Sequence, residues 1–433
     1  MVDKNGKKLK DSTDIANCLN DFFATVGKNM AQKFDVMDGT RLRDPLSYIS
    51  KDVKNSLFLS LPNSHEISKI ISKLDVNKSS HGLISNKVTK VTNDVISPYL
   101  EILFHKCIKE GVFPDSYKIA EVIPLFKGGD KEDRSCYRPI SLLPTISKIL
   151  ERVLAKRVIK FLTKFDILSD DQFGFRAKFS TEYAIMDIYD KLIHNLDKGL
   201  SSCAIFLDLA KAFDSVSHEI LLRKMHHYGI RGKTLELFKS YLNSRTQYIK
   251  LNGCKSSLMG IDFGVPQGSI LGPLLFLIFI NDLPNASKFY IKLFADDTFL
   301  CAQNKDFSKL EDEVNVELDK VFVWLASNKL TLNTEKSKYM IVTKKLDVPE
   351  MSIKINDTSL KRCASYKYLG VIIDEKLKWN SHVDYISKKI SKGCGALAKI
   401  RNCVSTNVLK NVYHALIHSY LRYGILIWGH AAL

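Results

Sequence analysis

The sequence predicts an α+β fold, and three observations carry that prediction. Short aromatic and aliphatic runs bounded by turn residues read as strands at 121–126, 137–143, 202–209, 338–343 and on both flanks of Asp296-Asp297. Elsewhere apolar residues recur at helical spacing, as in Ile67, Ile70, Ile71 and Leu74, at offsets 0, 3, 4 and 7. The character also changes along the chain: the stretch up to residue 117 reads as helix and loop, and strand signals begin at Ala120, with further helices among them.

Composition bounds the function. A chain of 433 residues can form two or three packed units. Its 64 Lys and Arg against 47 Asp and Glu leave a formal charge of +17, which fits a polyanionic partner, nucleic acid first. No segment reaches the roughly 18–20 apolar residues that cross a bilayer. The nine cysteines stand singly, without Cys-x-x-Cys or zinc spacing, which predicts reduced, packed thiols. The polar start Met-Val-Asp-Lys-Asn-Gly-Lys-Lys has no secretory core, so the expectation is an intracellular protein, with nucleus and cytoplasm both open.

Taken in order, residues 12–31 place Ile15, Leu19, Phe22, Phe23, Val26 and Met30 on one helical stripe behind a Ser-Thr start. A polar, irregular stretch follows to about 60, then the Ile67 stripe, a basic loop at 78–90 and more helix through 99–104. Strands 121–126 and 137–143 enclose Lys127-Gly-Gly-Asp-Lys-Glu-Asp-Arg134, a charged loop that reads either as a phosphate grip or as a solvated hairpin tip. Helix is predicted at 147–165. Gln172-Phe-Gly-Phe-Arg-Ala-Lys-Phe179 alternates aromatic and basic residues, which suits either a single-stranded nucleic acid or core packing.

The strand 202–209 ends in Asp208, and Asp214 in the following turn reads as a local turn or cap residue. Gly264-Val-Pro-Gln-Gly-Ser269 is a turn leading into a buried helix from Ile270 to Ile280. The later segments are a helix at 309–327, strands at 338–343 and 366–374, and two helices at about 381–402 and 406–423. The chain then runs apolar to Leu433, an ending that reads as cut short.

The acids carry the chemistry. Asp296 and Asp297 are adjacent between apolar strands, where two carboxylates repel and lose hydration, so a divalent cation between them is one reading and a wet turn tip the other. An acid closing the hydrophobic strand at Asp208 also needs a partner, and it is the candidate third ligand.

Seven motifs in one order then carry a resemblance: Tyr137-Arg-Pro-Ile-Ser-Leu-Leu, Gln172-Phe-Gly-Phe-Arg, Phe206-Leu-Asp-Leu-Ala-Lys-Ala-Phe-Asp-Ser-Val, Gly264-Val-Pro-Gln-Gly-Ser-Ile-Leu-Gly-Pro-Leu-Leu-Phe, Phe294-Ala-Asp-Asp-Thr, Leu332-Asn-Thr-Glu-Lys and Tyr368-Leu-Gly. Over roughly residues 60–430 the chain resembles the reverse transcriptases of non-LTR (LINE-type) retrotransposons, jockey-like group. That resemblance implies a right-hand polymerase: a helical N-terminal extension at 1–117, fingers and a palm with an antiparallel sheet at 118–373, and a partial helical thumb at 374–433.

The implied reaction is RNA-templated DNA synthesis onto a primer 3′-hydroxyl, with an RNA template, a DNA primer or target and deoxynucleoside triphosphates as partners. By the same resemblance Asp208, Asp296 and Asp297, with the Leu209 carbonyl, hold two Mg²⁺ ions, Mn²⁺ being a possible substitute. Lys127 and Arg138 meet the triphosphate, Phe213 blocks a 2′-hydroxyl, and Gln267 and Gly268 line the nascent base pair. Lys336 lies near the triphosphate as a general acid, Arg176 grips the strand, and Tyr368, Leu369 and Gly370 form the primer grip. The family's usual upstream endonuclease is not visible, so a truncated, non-catalytic RNA-binding remnant stands as the alternative, with an intron-maturase relative behind it.

Overall fold

The first helix starts at the expected Ser-Thr pair, and the residue before that pair caps it. The Asp11 carboxylate accepts from the Thr13 and Asp14 amides and caps the helix Ser12–Gln32. The computed structural model describes residues 1–2, 6, 8–35, 41–82 and 84–429. Expectations that touch 36–40 in the irregular stretch, 83 in the basic loop and 430–433 at the apolar end lie outside the described residues. Two compact units emerge, each assembled from separate stretches of chain.

The first unit comprises Met1–Ser169, Leu209–Ala286 and Val323–Thr331. Its sheet is built around the Ile119–Phe126 strand, antiparallel to Tyr137–Leu142 on one side and parallel to Arg245–Leu251 on the other. The Ser12–Gln32 helix lies against this sheet, with Ala16, Leu19 and Phe23 packed on Val122, Leu143 and Ile249. Helix Leu271–Ile280 is apolar throughout, and only Pro273 among its residues escapes full burial. Its first amides are satisfied by a buried acid: Glu151 accepts from Ile270 N at 2.7 Å and Leu271 N at 3.1 Å. Its far end is held by Lys224, which is fully buried and donates to Phe279 O and Asp282. Asp282 also accepts from Trp324 Nε1, so the buried charge pair is hydrogen-bonded beyond its own contact.

The second unit comprises Asp170–Asp208, Ser287–Phe322 and Leu332–Leu433. Its sheet has the order Lys361–Arg362, Lys338–Val342, Ser201–Asp208, Asp297–Asn304, Tyr290–Phe294. The central strand Ser201–Asp208 is buried at every residue until Asp208, which is why it reads as an unbroken apolar run ending in an acid. Helix Thr181–Asp197 packs Ile185, Ile188 and Leu192 against Phe206, Phe299, Met340 and Val342, and Trp379 and Trp428 close the same core.

The expectation of an antiparallel sheet needs one correction, because Lys361–Arg362 joins Lys338–Val342 in parallel. The expected single strand at 366–374 is a hairpin of Ser365–Tyr368 and Val371–Asp374. Leu369 and Gly370 both adopt positive φ, 44° and 89°, the pairing that a tight primed turn requires. Among the described residues no helix is long and apolar enough to cross a membrane.

Candidate active site

The hairpin Tyr290–Phe294 and Asp297–Asn304 puts Ala295 and Asp296 in a two-residue turn. Ala295 has φ 56°, a left-handed conformation that costs a non-glycine residue energy and needs outside support. Gln172 supplies it. Its fully buried side chain accepts from Ala295 N at 3.1 Å and Gly174 N at 2.7 Å, while Phe173 N donates to Leu293 O and Leu293 N donates to Asp171 O.

Asp297 begins its strand directly opposite Asp208, the last residue of the neighbouring one. Residues facing each other across an antiparallel pair project to the same face, so two carboxylates far apart in sequence share one strand end, with Asp296 next to them on the turn. Burial pushes the Asp297 carboxyl up to about 6, and the negative charges of Asp296 and Asp208 push in the same direction. Asp208 is anchored through its backbone, donating from N to Ser337 Oγ at 3.1 Å and accepting at O from Asn333 N at 2.8 Å. Lys336 Nζ stands 3.9 Å from Asp208 Oδ2.

Beneath this strand end the Tyr366 ring stacks on Phe206 with centroids 4.2 Å apart, and Tyr368 is buried against Phe206 and Phe299. Burial lifts the Tyr366 phenol to about 12, helped by Asp208 and Asp297. Tyr368 is thus a core residue, and Leu369 and Gly370 are what the hairpin leaves at its tip. Arg176 stacks over Phe179 at 4.3 Å and donates to Gln172 O.

Could these acids hold a metal? Among the described residues no three His, Cys, Asp or Glu side chains are grouped so as to hold one as they stand. The strand end nevertheless offers hard carboxylate oxygens, the donors Mg²⁺ takes, and a mutual repulsion that a cation would relieve. The donor chemistry fits.

In the first unit, Lys127 and Arg138 are exposed at the base of the hairpin loop, where Lys127 N bonds Cys136 O. Lys211, unremarked in the motif reading, donates to Ser135 O and Tyr137 O of the same hairpin. Phe213 stacks on Phe276 with centroids 4.5 Å apart. Leu209 is buried, and Gln267 O accepts from Ser141 N at 2.7 Å within the Gly264–Ser269 turn.

With this geometry in place, comparison with known proteins is decisive. The family model described as "Reverse transcriptase (RNA-dependent DNA polymerase)" matches residues 129–373, more than half of the chain. The chain belongs to the reverse transcriptase family. Within it the chain is a jockey-like, non-LTR member. It is 30% identical over 382 residues to the RNA-directed DNA polymerase from mobile element jockey of Drosophila funebris, covering 85% of this chain and 41% of that protein. The Drosophila melanogaster jockey polymerase is 28% identical over 400 residues, 89% of this chain and 43% of its own length. The probable RNA-directed DNA polymerase from transposon X-element of the same fly is 26% identical over 440 residues, 99% and 48% respectively. The reverse transcriptase chain described here thus spans less than half the length of these relatives.

Proposed function

We propose that the protein is an RNA-directed DNA polymerase that extends a DNA primer or target 3′-end along an RNA template with deoxynucleoside triphosphates. The observation that carries this reading is the facing pair Asp208 and Asp297 with Asp296 beside it, at a strand end where the Asp297 carboxylate is charged only at a cost. In this reading Asp208, Asp296 and Asp297, with the Leu209 carbonyl, hold two Mg²⁺ ions, which Mn²⁺ can replace. Bound there, the ions would lower the cost of ionising the primer hydroxyl and offset charge on the triphosphate.

The remaining roles belong to the chain's own groups. Lys127 contributes a point charge and Arg138 a planar fork for triphosphate oxygens. Phe213 occupies the space a 2′-hydroxyl would need, and Gln267 and Gly268 contact the nascent base pair. Lys336, already near Asp208, supplies a proton to the departing pyrophosphate. Arg176 grips the nucleic-acid strand, and the hairpin Tyr368-Leu369-Gly370 supports the primer, with Tyr368 acting through the core and the tip making contact. The names extension, fingers, palm and thumb attach to residues 1–117, 118–373 and 374–433 as expected from the sequence.

The test is primer extension on poly(rA)/oligo(dT) with dTTP and Mg²⁺. The wild-type protein extends the primer, and Asp296→Ala combined with Asp297→Ala abolishes extension while leaving template-primer binding. Extension that survives the double substitution overturns the metal assignment.

A further inference from the structure

Asp214 holds a position that its sequence context does not explain. Its short 3-10 turn, Ala212–Asp214, is tied to the Gly264–Ser269 turn by Val265 N to Phe213 O, and the chain just after it by Gly264 N to Val216 O, both 2.8 Å. Backbone packs on Asp214 from two directions. A Cβ on Gly27 would sit 1.8 Å from Asp214 O, and one on Gly264 would sit 2.8 Å from its Cα and O. Held this way, the carboxylate accepts from Gln267 Nε2 at 2.8 Å through Oδ1. Its other oxygen, Oδ2, is closed off from solvent and has no hydrogen-bond partner among the described residues.

An ionised carboxylate can only accept, so it fixes which end of a carboxamide it meets. Gln267 must turn its NH₂ to Asp214, which leaves Oε1 as the group the side chain offers elsewhere. We propose that Asp214 is a positioning residue that locks the Gln267 carboxamide in one sense, so that Gln267 meets the incoming deoxynucleoside triphosphate as an acceptor. This rests on the polymerase reading, in which Gln267 touches the nucleotide and Asp214 acts through it.

The lock is conditional on charge. Burial lifts the Asp214 carboxyl to about 6, opposed by Gln267 and by the cations Lys211, Lys127 and Arg138. Protonated Asp214 has a donor of its own and accepts Gln267 in either sense. Asp214→Asn has the same shape and permits both senses at every pH.

Steady-state extension of poly(rA)/oligo(dT) between pH 5.5 and 8.5 tests the proposal with the wild type, D214N, Q267M and the double variant. The expected wild-type KM for dTTP rises about fivefold as pH falls through the Asp214 range, the effect of one net hydrogen bond. In D214N the KM is raised at all pH values and is flat. D214N adds nothing to Q267M in the double variant. A wild-type KM profile in D214N, or independent multiplication with Q267M, overturns the proposal.

A wild-type protein that binds template-primer but extends nothing defeats the polymerase reading alone. The ¹⁵N side-chain amide resonance of Gln267, assigned by its loss in Q267M, then decides. A titration near pH 6 in the wild type, absent in D214N, supports the lock. A pH-invariant resonance in the wild type overturns it, even if D214N does not fold.

Discussion

Asp297 has the sharpest consequences among single residues. Its carboxyl is raised from the ordinary 3.8 to about 6, so the folded protein binds that proton more tightly than the unfolded chain. Its contribution to stability is therefore fully present below pH 3.8 and is lost as pH rises through about 6. Asp297→Asn should stabilise the metal-free protein at pH 7.5, by no more than about 1 kcal/mol because the carboxylate, though partly desolvated by its neighbours, keeps solvent contact that screens its charge, and should gain nothing at pH 4. Urea unfolding at the two pH values checks this; an equal gain at both refutes the charge argument. Mg²⁺ should raise the melting temperature of the wild type and have a much smaller effect on this variant. Phe213, stacked on Phe276, gives the second prediction: Phe213→Val opens the space beside the sugar, and incorporation of UTP relative to dTTP rises by about tenfold or more, one lost steric contact being worth roughly 1.4 kcal/mol. Asp297 was legible in the sequence because adjacent acids among apolar residues are a local pattern, whereas Phe213 was singled out only through the family resemblance. Gln172 and Asp214 were not legible, since the partners that give them meaning, Ala295 and Gln267, lie in remote turns.

At the scale of the element, the turn at Ala295-Asp296 depends on a segment from elsewhere in the chain. Gln172→Leu fills the same space but leaves the Ala295 and Gly174 amides without acceptors in a buried setting. A loss of about 2–4 kcal/mol is expected, measured by chemical denaturation, with extension falling further than template-primer binding. Wild-type stability in that variant would mean the turn holds itself. Most elements were readable from periodicity alone: the strand 202–209 and the helix after Ile270 match within a residue or two. The hairpin at 365–374 was not, because a leucine in the left-handed region leaves no trace in composition. Nor was the parallel pairing of Ile119–Phe126 with Arg245–Leu251, since the Arg245–Leu251 strand gave no signal that singled it out and parallel partners need no nearby turn.

For the whole molecule, the charge of +17 makes ionic strength the relevant variable. Neutralising about five phosphates implies that template-primer affinity falls roughly 500-fold between 50 and 200 mM salt. Fluorescence anisotropy titrations at several salt concentrations measure the slope, and a flat response excludes the backbone-dominated contact that the basic balance implies. The two compact units exchange the chain at 169/170, 208/209, 286/287, 322/323 and 331/332. A ribosome delivering this protein cannot release the first unit to fold when its opening 169 residues emerge, because strands and helices it needs arrive as late as Thr331. Newborn chains must wait, half-built, with apolar surfaces uncovered, which makes the interval of synthesis the period of greatest exposure to chaperones and proteases.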